Sequence, residues 1–151
     1  MEKATFGAGC FWGVQKEFNK IKGITKTTVG YMGGNLKNPT YEDVCTNKTG
    51  HIEVIQIEFD PDIVNYEKLL ELFWKIHDPT QFNRQGPDIG TQYKSIIFYH
   101  TEEQKIIAEK SKEKLQKSNK FKKPIVTEIK SLEIFYKAEE YHQNYLEKNK
   151  I

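Results

Sequence analysis

The chain has 151 residues, a formal net charge of +2 and two cysteines, with 29% charged and 37% hydrophobic residues. These values fit one globular domain over 1–151, with a core that needs no disulfide framework. No apolar run approaches a membrane span and no secretory signal is visible, so we expect a cytoplasmic protein with free thiols and no membrane contact. Glutamates are interspersed among the lysines of 105–123, which is typical of a solvated helix and disfavours a nucleic-acid surface.

Alternation of apolar residues and helical spacing predict three strands and two helices in the first half of the chain. They are a strand over 3–8, a helix over 11–22, a strand over 25–31, a strand over 51–59, and a helix from Asn65 to about His77. A polar segment, 35–50, separates the second and third strands. It shows no regular pattern, so we expect a loop there.

The second half begins with an aperiodic segment, 78–93, that holds two prolines and two glycines. A stretch of this length without secondary structure is usually functional. Further elements follow it: a strand over 95–100, a helix from Thr101 to about Ser118 opened by a capping box with Gln104, a strand over 124–130, and a last helix over 135–148 with Ala138, Tyr141 and Tyr145 on one stripe.

The predicted element order is β-α-β-β-α-β followed by α-β-α. The first six elements match the split β-α-β pattern. We therefore expect an α+β fold: a ferredoxin-like two-layer α/β sandwich with an added C-terminal α-β-α extension.

The run Gly-Cys-Phe-Trp-Gly at 9–13 lies where the first strand meets the first helix. Unpaired backbone N–H groups and the helix dipole favour a thiolate at such a position, so Cys10 is a candidate nucleophile. Phe11 and Trp12 are candidates for the walls of a small apolar pocket. The alternative is a core cysteine, since free cysteine is among the most buried residue types. Position alone favours neither interpretation.

The strand over 51–59 carries a second candidate. Glu53 shares one face with Ile55, Ile57 and Phe59 by the two-residue period of a strand. A carboxyl group forced against an apolar layer stays protonated because desolvation disfavours its charge, and a protonated carboxyl is a candidate general acid. The alternative, favoured without other evidence, is a strand-end glutamate in water paired with a lysine.

Other candidates stand beside turn-forming residues. Tyr41 and Tyr93 offer hydroxyl donors, and Asp88 is a candidate for organising its loop. Cys45 is either a resolving thiol or a packed one. The cysteines and histidines show no close ligand pairing and the glycines form no nucleotide fingerprint, so we expect neither a metal nor a bound cofactor.

These features match one family. The chain resembles the type A peptide methionine sulfoxide reductases over nearly its whole length. Four ordered motifs carry the resemblance: Gly-Cys-Phe-Trp-Gly at 9–13, blocks within 30–54, blocks within 77–95, and Ala-Glu-Glu-Tyr-His-Gln at 138–143. The implied activity is reduction of the S epimer of methionine sulfoxide, free or in oxidised proteins, to methionine, which repairs oxidative damage.

The resemblance also implies a role for each matching residue. Cys10 would attack the sulfoxide sulfur and end as a sulfenic acid. Glu53 would protonate the sulfoxide oxygen, while Tyr41 and Tyr93 would hydrogen-bond it. Asp88 would help to order the site. In the same way, the aromatic pair after the cysteine would hold the S-methyl group of the substrate.

One departure concerns regeneration. Many members carry resolving cysteines in a tail beyond the C-terminal helix, and this sequence has none there. We expect an external thiol, thioredoxin or glutaredoxin with glutathione, to reduce the Cys10 sulfenic acid. A Cys10–Cys45 disulfide is the alternative. We expect a monomer, since nothing in the sequence indicates an obligate interface.

Two other functions would use some of the same candidate residues. A module that binds oxidised methionine without turnover would need the aromatic pocket but no reactive thiol. A general thiol peroxidase would need an open site and gives no reason for Phe11 and Trp12.

Overall fold

The structure is a computed structural model that describes residues 1–149. The predicted domain, 1–151, includes two residues outside that range. The helices and strands are, in chain order, β1 (Glu2–Ala8), α1 (Phe11–Phe18), β2 (Ile24–Met32), α2 (Tyr41–Cys45), β3 (Ile52–Phe59), α3 (Tyr66–Lys75), β4 (Arg84–Gln85), β5 (Asp88–Ile89), β6 (Ser95–Tyr99), α4 (Glu102–Lys117), β7 (Glu128–Ser131), β8 (Tyr136–Lys137) and α5 (Tyr145–Lys148). Two 3₁₀ turns, Thr91–Tyr93 and Glu140–His142, lie between them.

A six-stranded mixed sheet forms the centre of the molecule, in the order β7-β6-β1-β3-β2-β8. Neighbouring strands are antiparallel, except for the parallel pair β6 and β7. Strands β4 and β5 form a separate hairpin. The expected α+β class is therefore correct. None of the helices in residues 1–149 has the length and apolar character that crossing a membrane requires.

The core lies on the sheet face that α1 and α3 cover. Phe6 of β1 is fully buried there, with ring centroids 5.7 Å from Phe18 of α1 and 5.0 Å from Phe73 of α3. In β3, Ile55 and Ile57 belong to this same core. Because side chains alternate along a strand, Ile52 and Val54 belong to a smaller cluster on the opposite side. Strand β3 is thus buried on both faces at the middle of the sheet.

The prediction of one helix over 135–148 is wrong. The chain instead forms β8, a 3₁₀ turn and the four-residue α5, with Asn144 in the left-handed region at φ 55°. Gln143 explains the difference, because its side chain bonds both the N–H and the C=O of Val29 and draws this segment along the edge of β2. Tyr141, predicted to share a stripe with Ala138, is 56% exposed while Ala138 is buried.

Several element boundaries also differ. The first helix ends at Phe18 and not at 22, and the seventh strand begins at Glu128 and not at 124. Helix α2 lies in the segment expected to be a loop, where Thr40 and Asp43 form a capping box. At α4 the predicted box is only half formed, because the Gln104 side chain accepts the N–H of His100 instead.

Candidate active site

Cys10 is the N-cap residue of α1 and is separated from the end of β1 by Gly9, at the strand–helix junction that the sequence predicts. Gly9 makes the turn possible: its φ of +92° is strained for other residues, and an added Cβ would lie 2.8 Å from Cγ of Gln85. Gln85 is held over Gly9 by two hydrogen bonds to the backbone of Asp78. The aperiodic segment therefore closes over the turn that carries the cysteine.

The thiol of Cys10 is neutral in this state. Burial raises its pKa to about 11, and the charges of Glu53 and Asp88 add to the rise, while the backbone N–H groups of Trp12 and Gly13 lower it. The helix terminus acts in the predicted direction, but burial is the larger effect. The expectation of a low pKa for this thiol is therefore wrong for the free protein.

Glu53 lies on β3 with only 1% of its surface exposed. Oε1 accepts the backbone N–H of Phe11 at 3.2 Å, and Oε2 accepts the Gln92 side-chain amide at 2.7 Å. Burial raises the pKa of this carboxyl to about 7, against the lowering effect of those two donors. The pattern of β3 thus correctly predicts a buried acid that holds a proton near neutral pH. The alternative of a solvated strand end is wrong.

Tyr41 and Tyr93 are both partly buried, and each approaches the Glu53 carboxyl from a different element. Tyr41 begins α2 and Tyr93 ends a 3₁₀ turn. Burial raises the pKa of each phenol, and the nearby charge of Glu53 raises it further. Both phenols therefore stay neutral and can donate hydrogen bonds. Asp88, in the hairpin strand β5, is close enough to raise the pKa of Cys10, Glu53 and Tyr93.

The two predicted aromatic residues differ in exposure. Phe11 is fully buried and packs against Tyr31 and His142, with ring centroids 5.8 Å and 5.3 Å away. Trp12 is partly exposed and is held on two sides. Its indole N–H donates to Nδ1 of His142 at 2.9 Å, and Tyr145 stacks on its ring at 3.9 Å. Trp12 is thus a fixed aromatic wall at the surface.

Cys45 is an exposed free thiol at the end of α2. The Gln92 amide lies 3.7 Å from its sulfur, and the thiol is close enough to Tyr41 to raise the pKa of that phenol. Cys10 is also a free thiol, so the two cysteines are not bonded to each other in this structure.

Further residues that contact this site include Gln92, Glu139, His142 and Tyr145. Glu139 accepts the Tyr31 hydroxyl and the backbone N–H of Tyr41, each at 2.9 Å. Gln92 stands beside Tyr93, so its place in the aperiodic segment is a usable sequence signal. The other three lie in the segment wrongly predicted to be one helix, which hid their contacts. In residues 1–149 no group of three or more His, Cys, Asp or Glu side chains could hold a metal ion.

The site thus brings together all the residues named from the sequence, although their roles remain predictions. It combines a partly buried thiol at a helix terminus, a protonated carboxyl group and two neutral phenols. This set suits nucleophilic attack on a polarised centre whose oxygen takes up a proton.

Comparison with known proteins identifies the family. The family model for peptide methionine sulfoxide reductase matches residues 2–151. A peptide methionine sulfoxide reductase MsrA of Methanothermobacter thermautotrophicus is 62% identical over 148 residues, which cover 98% of this chain and 88% of that protein. The chain therefore belongs to the peptide methionine sulfoxide reductase family and is an oxidoreductase that reduces methionine sulfoxide.

Solved structures agree. Reduced Mxr1 from Saccharomyces cerevisiae superposes with a TM-score of 0.93 at 37% identity, covering 99% of this chain and 86% of that one. The complex of Mxr1 with Trx2 gives a TM-score of 0.67 at 26% identity, covering 95% and 84%.

Proposed function

We propose that this reductase acts on the S epimer of methionine sulfoxide, free and in proteins, with Cys10 as nucleophile and Glu53 as proton donor. One observation carries the assignment. The N–H of Phe11, the residue after Cys10, bonds the buried carboxyl of Glu53, whose pKa is about 7. A nucleophile and a proton-bearing acid therefore share one site.

The reaction begins with attack of the Cys10 sulfur on the sulfoxide sulfur. A sulfoxide is a poor electrophile until its oxygen is protonated or strongly hydrogen-bonded. Glu53 gives its proton to that oxygen, and Tyr41 and Tyr93 donate hydrogen bonds to it. The thiol proton leaves as the new bond forms, and the N–H groups of Trp12 and Gly13 stabilise the developing thiolate.

The atoms and electrons balance over the half-reaction. The thiol and the sulfoxide give the Cys10 sulfenic acid and methionine, so the substrate sulfur gains two electrons and the cysteine sulfur loses two. The S–O bond of the substrate and the transient S–S bond to Cys10 both break, the oxygen ends on Cys10 with the proton that Glu53 gave, and the proton lost by the thiol restores Glu53.

The electrostatic coupling between the two groups supports this sequence of events. With Glu53 protonated, the negative charge that raises the pKa of Cys10 is absent, so the thiol ionises more readily beside the neutral acid. The two groups thus titrate as a coupled pair, in which the protonation of one eases the ionisation of the other.

The choice of epimer follows from an asymmetric pocket. The methyl group would lie against Phe11 and Trp12, and the oxygen would face Glu53 and the two phenols. The opposite epimer exchanges two substituents, so its oxygen would meet the aromatic wall and lose its donors.

An external thiol then reduces the sulfenic acid. The complex of yeast Mxr1 with Trx2 supports a thioredoxin in this role, and glutaredoxin with glutathione would serve by the same chemistry. Cys45 is the internal competitor. Peptide mass spectrometry after one turnover without reductant tests this proposal: an intramolecular Cys10–Cys45 bond in most molecules would overturn it.

We also propose that the chain is a single catalytic domain acting as a cytoplasmic monomer, with no bound cofactor. Two free thiols suit a reducing compartment. The central strand order β6-β1-β3-β2 supports a ferredoxin-like β-α-β-β-α-β core, with α4, β7 and the C-terminal segment as its extension.

The test is an activity assay on both sulfoxide epimers, with thioredoxin and glutaredoxin systems supplied separately. We expect turnover of the S epimer only, its loss in Cys10→Ser, and its retention in the matched variant Cys45→Ser. Full turnover by Cys10→Ser would overturn the mechanism. Binding of the substrate without release of methionine would instead indicate a recognition module.

A further inference from the structure

The Gln92 side chain lies between the proposed acid, Glu53, and the thiol of Cys45. Its side chain is 3% exposed and lies in the 3₁₀ turn Thr91–Tyr93. The amide nitrogen donates to Oε2 of Glu53 at 2.7 Å and lies 3.7 Å from Sγ of Cys45. Because both neighbours accept hydrogen bonds, the nitrogen and not the oxygen of the amide faces them.

Together with Phe11, this amide fixes the carboxyl of Glu53 from two sides. The N–H of Phe11 occupies a lone pair on Oε1, and Gln92 occupies one on Oε2. Each carboxyl oxygen has two lone pairs, so the acid proton is restricted to the two that remain. The orientation of the carboxyl group is thereby defined, and its proton is limited to two positions.

We propose that Gln92 is a positioning residue of this reductase, which orients the Glu53 carboxyl for proton transfer and makes its ionised form accessible. The inference rests on the proposed role of Glu53 as proton donor. Gln92 touches neither the substrate nor the reacting atoms in this account, and acts through Glu53.

The physical reason is a balance between two opposing effects. Burial favours the neutral carboxyl, while a donated hydrogen bond favours the carboxylate. Burial alone would make Glu53 too weak an acid to release its proton, and the two donors bring its pKa back to about 7. A general acid is most effective when its pKa lies near the working pH.

Other titratable groups lie around Glu53. They come from every element packed near it, and include Cys10 at the start of α1, Tyr31 of β2, Tyr41 and Cys45 of α2, Asp88 of β5, and Tyr93. Among these, Asp88 is the acid whose charge raises the pKa of Glu53. Gln92 is distinguished by a direct hydrogen bond, which a substitution can remove without changing any charge.

The matched control is Gln104, a second buried glutamine far along the sheet from this site. Its amide donates to the backbone carbonyl of Lys3, also at 2.7 Å. Gln104→Met therefore removes a comparable hydrogen bond, together with the one that its side chain accepts from the N–H of His100, where no titrating acid depends on either.

The experiment compares the pH dependence of kcat/KM for Gln92→Met, Gln104→Met, Glu53→Gln and the wild type, with the S epimer. Activity falls as Glu53 loses its proton, so we expect the falling limb to move upward by about one pH unit in Gln92→Met, as one lost bond to a charged acceptor implies. We also expect kcat/KM to fall on the order of tenfold through lost positioning. Gln104→Met should retain the wild-type limb.

Two further measurements keep the result decisive. Gln92→Asn, which retains the amide but shortens its reach, should show the same upward shift. Direct titration of the Glu53 carboxyl by carbon NMR measures the change in its pKa independently of any activity assay. A pKa in both Gln92 variants equal to or below the wild-type value would overturn the inference, while the proposed function would survive. If Glu53→Gln leaves the falling limb unchanged, the role of Glu53 as acid fails, and this inference with it.

Discussion

The backbone N–H of Phe11 donates to Oε1 of Glu53 across 3.2 Å, joining the first turn of α1 to the start of β3. The residue that follows the nucleophile therefore holds the acid. Since β3 is paired on both sides within the sheet, the distance between thiol and carboxyl depends on backbone and not on a mobile loop. Preorganisation of this kind is what proton transfer during attack requires.

The first prediction concerns Glu53→Gln. An amide can still hydrogen-bond the sulfoxide oxygen but is a poor acid, so kcat should fall on the order of a hundredfold while some turnover remains. Steady-state assays with the S epimer at several pH values measure this loss. The falling limb of the profile near pH 7, which reports the loss of the Glu53 proton, should disappear as well.

Glu58→Gln is the matched control, because Glu58 lies on the same strand but is partly exposed. It should retain wild-type rates at every pH. Equal losses in both variants would assign the effect to disruption of β3 and contradict a proton-donor role for Glu53.

A second prediction follows from the same pKa for stability. The folded pKa of Glu53 is about 7, above its ordinary 4.5. Its contribution to stability is therefore fully present below pH 4.5 and lost as the pH rises through 7. Between pH 5 and pH 8, wild type should lose on the order of 2–3 kcal/mol relative to Glu53→Gln. Denaturant unfolding at both pH values measures the difference. Parallel pH dependence in the two proteins would contradict a buried acid.

The sequence predicts the fold well where periodicity reflects burial. Strand β3 and the buried face of α1 follow from local patterns, because the same alternation that defines them is what the core requires. The C-terminal segment could not be predicted in this way. Its course depends on the hydrogen bonds between the Gln143 side chain and the backbone of Val29. These two residues lie far apart in the sequence, so their contact leaves no periodic signal.

The same distinction separates the site residues that the sequence predicts from those that it does not. Cys10 and Glu53 can be recognised from the local sequence. Cys10 is a reactive group at a strand–helix junction, and Glu53 is a carboxyl group on an otherwise apolar strand face. Gln92 and His142 act by hydrogen bonds to residues 39 and 130 positions away. The sequence does not predict the raised pKa of Cys10, because the effect of burial outweighs that of a helix terminus, and burial at that turn depends on the packing of the aperiodic segment.

A third prediction concerns the aromatic wall. His142→Phe keeps a ring but removes the acceptor of the Trp12 indole N–H. Trp12 should lose its fixed orientation, and KM for methionine sulfoxide should rise on the order of tenfold. The matched control is Ser111→Ala, which removes the acceptor of the other indole, Trp74, between α3 and α4. Both variants should lose about 1 kcal/mol of stability, but only His142→Phe should change KM. An unchanged KM would show that Trp12 needs no such support.

A fourth prediction contrasts two glycines of the same motif. Gly9→Ala places a methyl group against Gln85 at a φ of +92° and should cost about 1–3 kcal/mol. Gly13→Ala meets nothing within 4 Å in α1 and should stabilise the fold by about 0.5–1 kcal/mol through helix propensity. Chemical denaturation of the two variants measures this contrast. Equal stability for both would mean that the turn before Cys10 is not strained.

The most direct test of the account is a single-turnover experiment without reductant. Enzyme in excess of methionine (S)-sulfoxide is quenched, the methionine formed is quantified, and sulfenic acid is trapped and located by peptide mass spectrometry. We expect methionine and trapped sulfenic acid in equal amounts, with the adduct on Cys10, in wild type and in Cys45→Ser. Cys10→Ser should form neither. Methionine released by Cys10→Ser, or an adduct located on Cys45 alone, would contradict attack by Cys10.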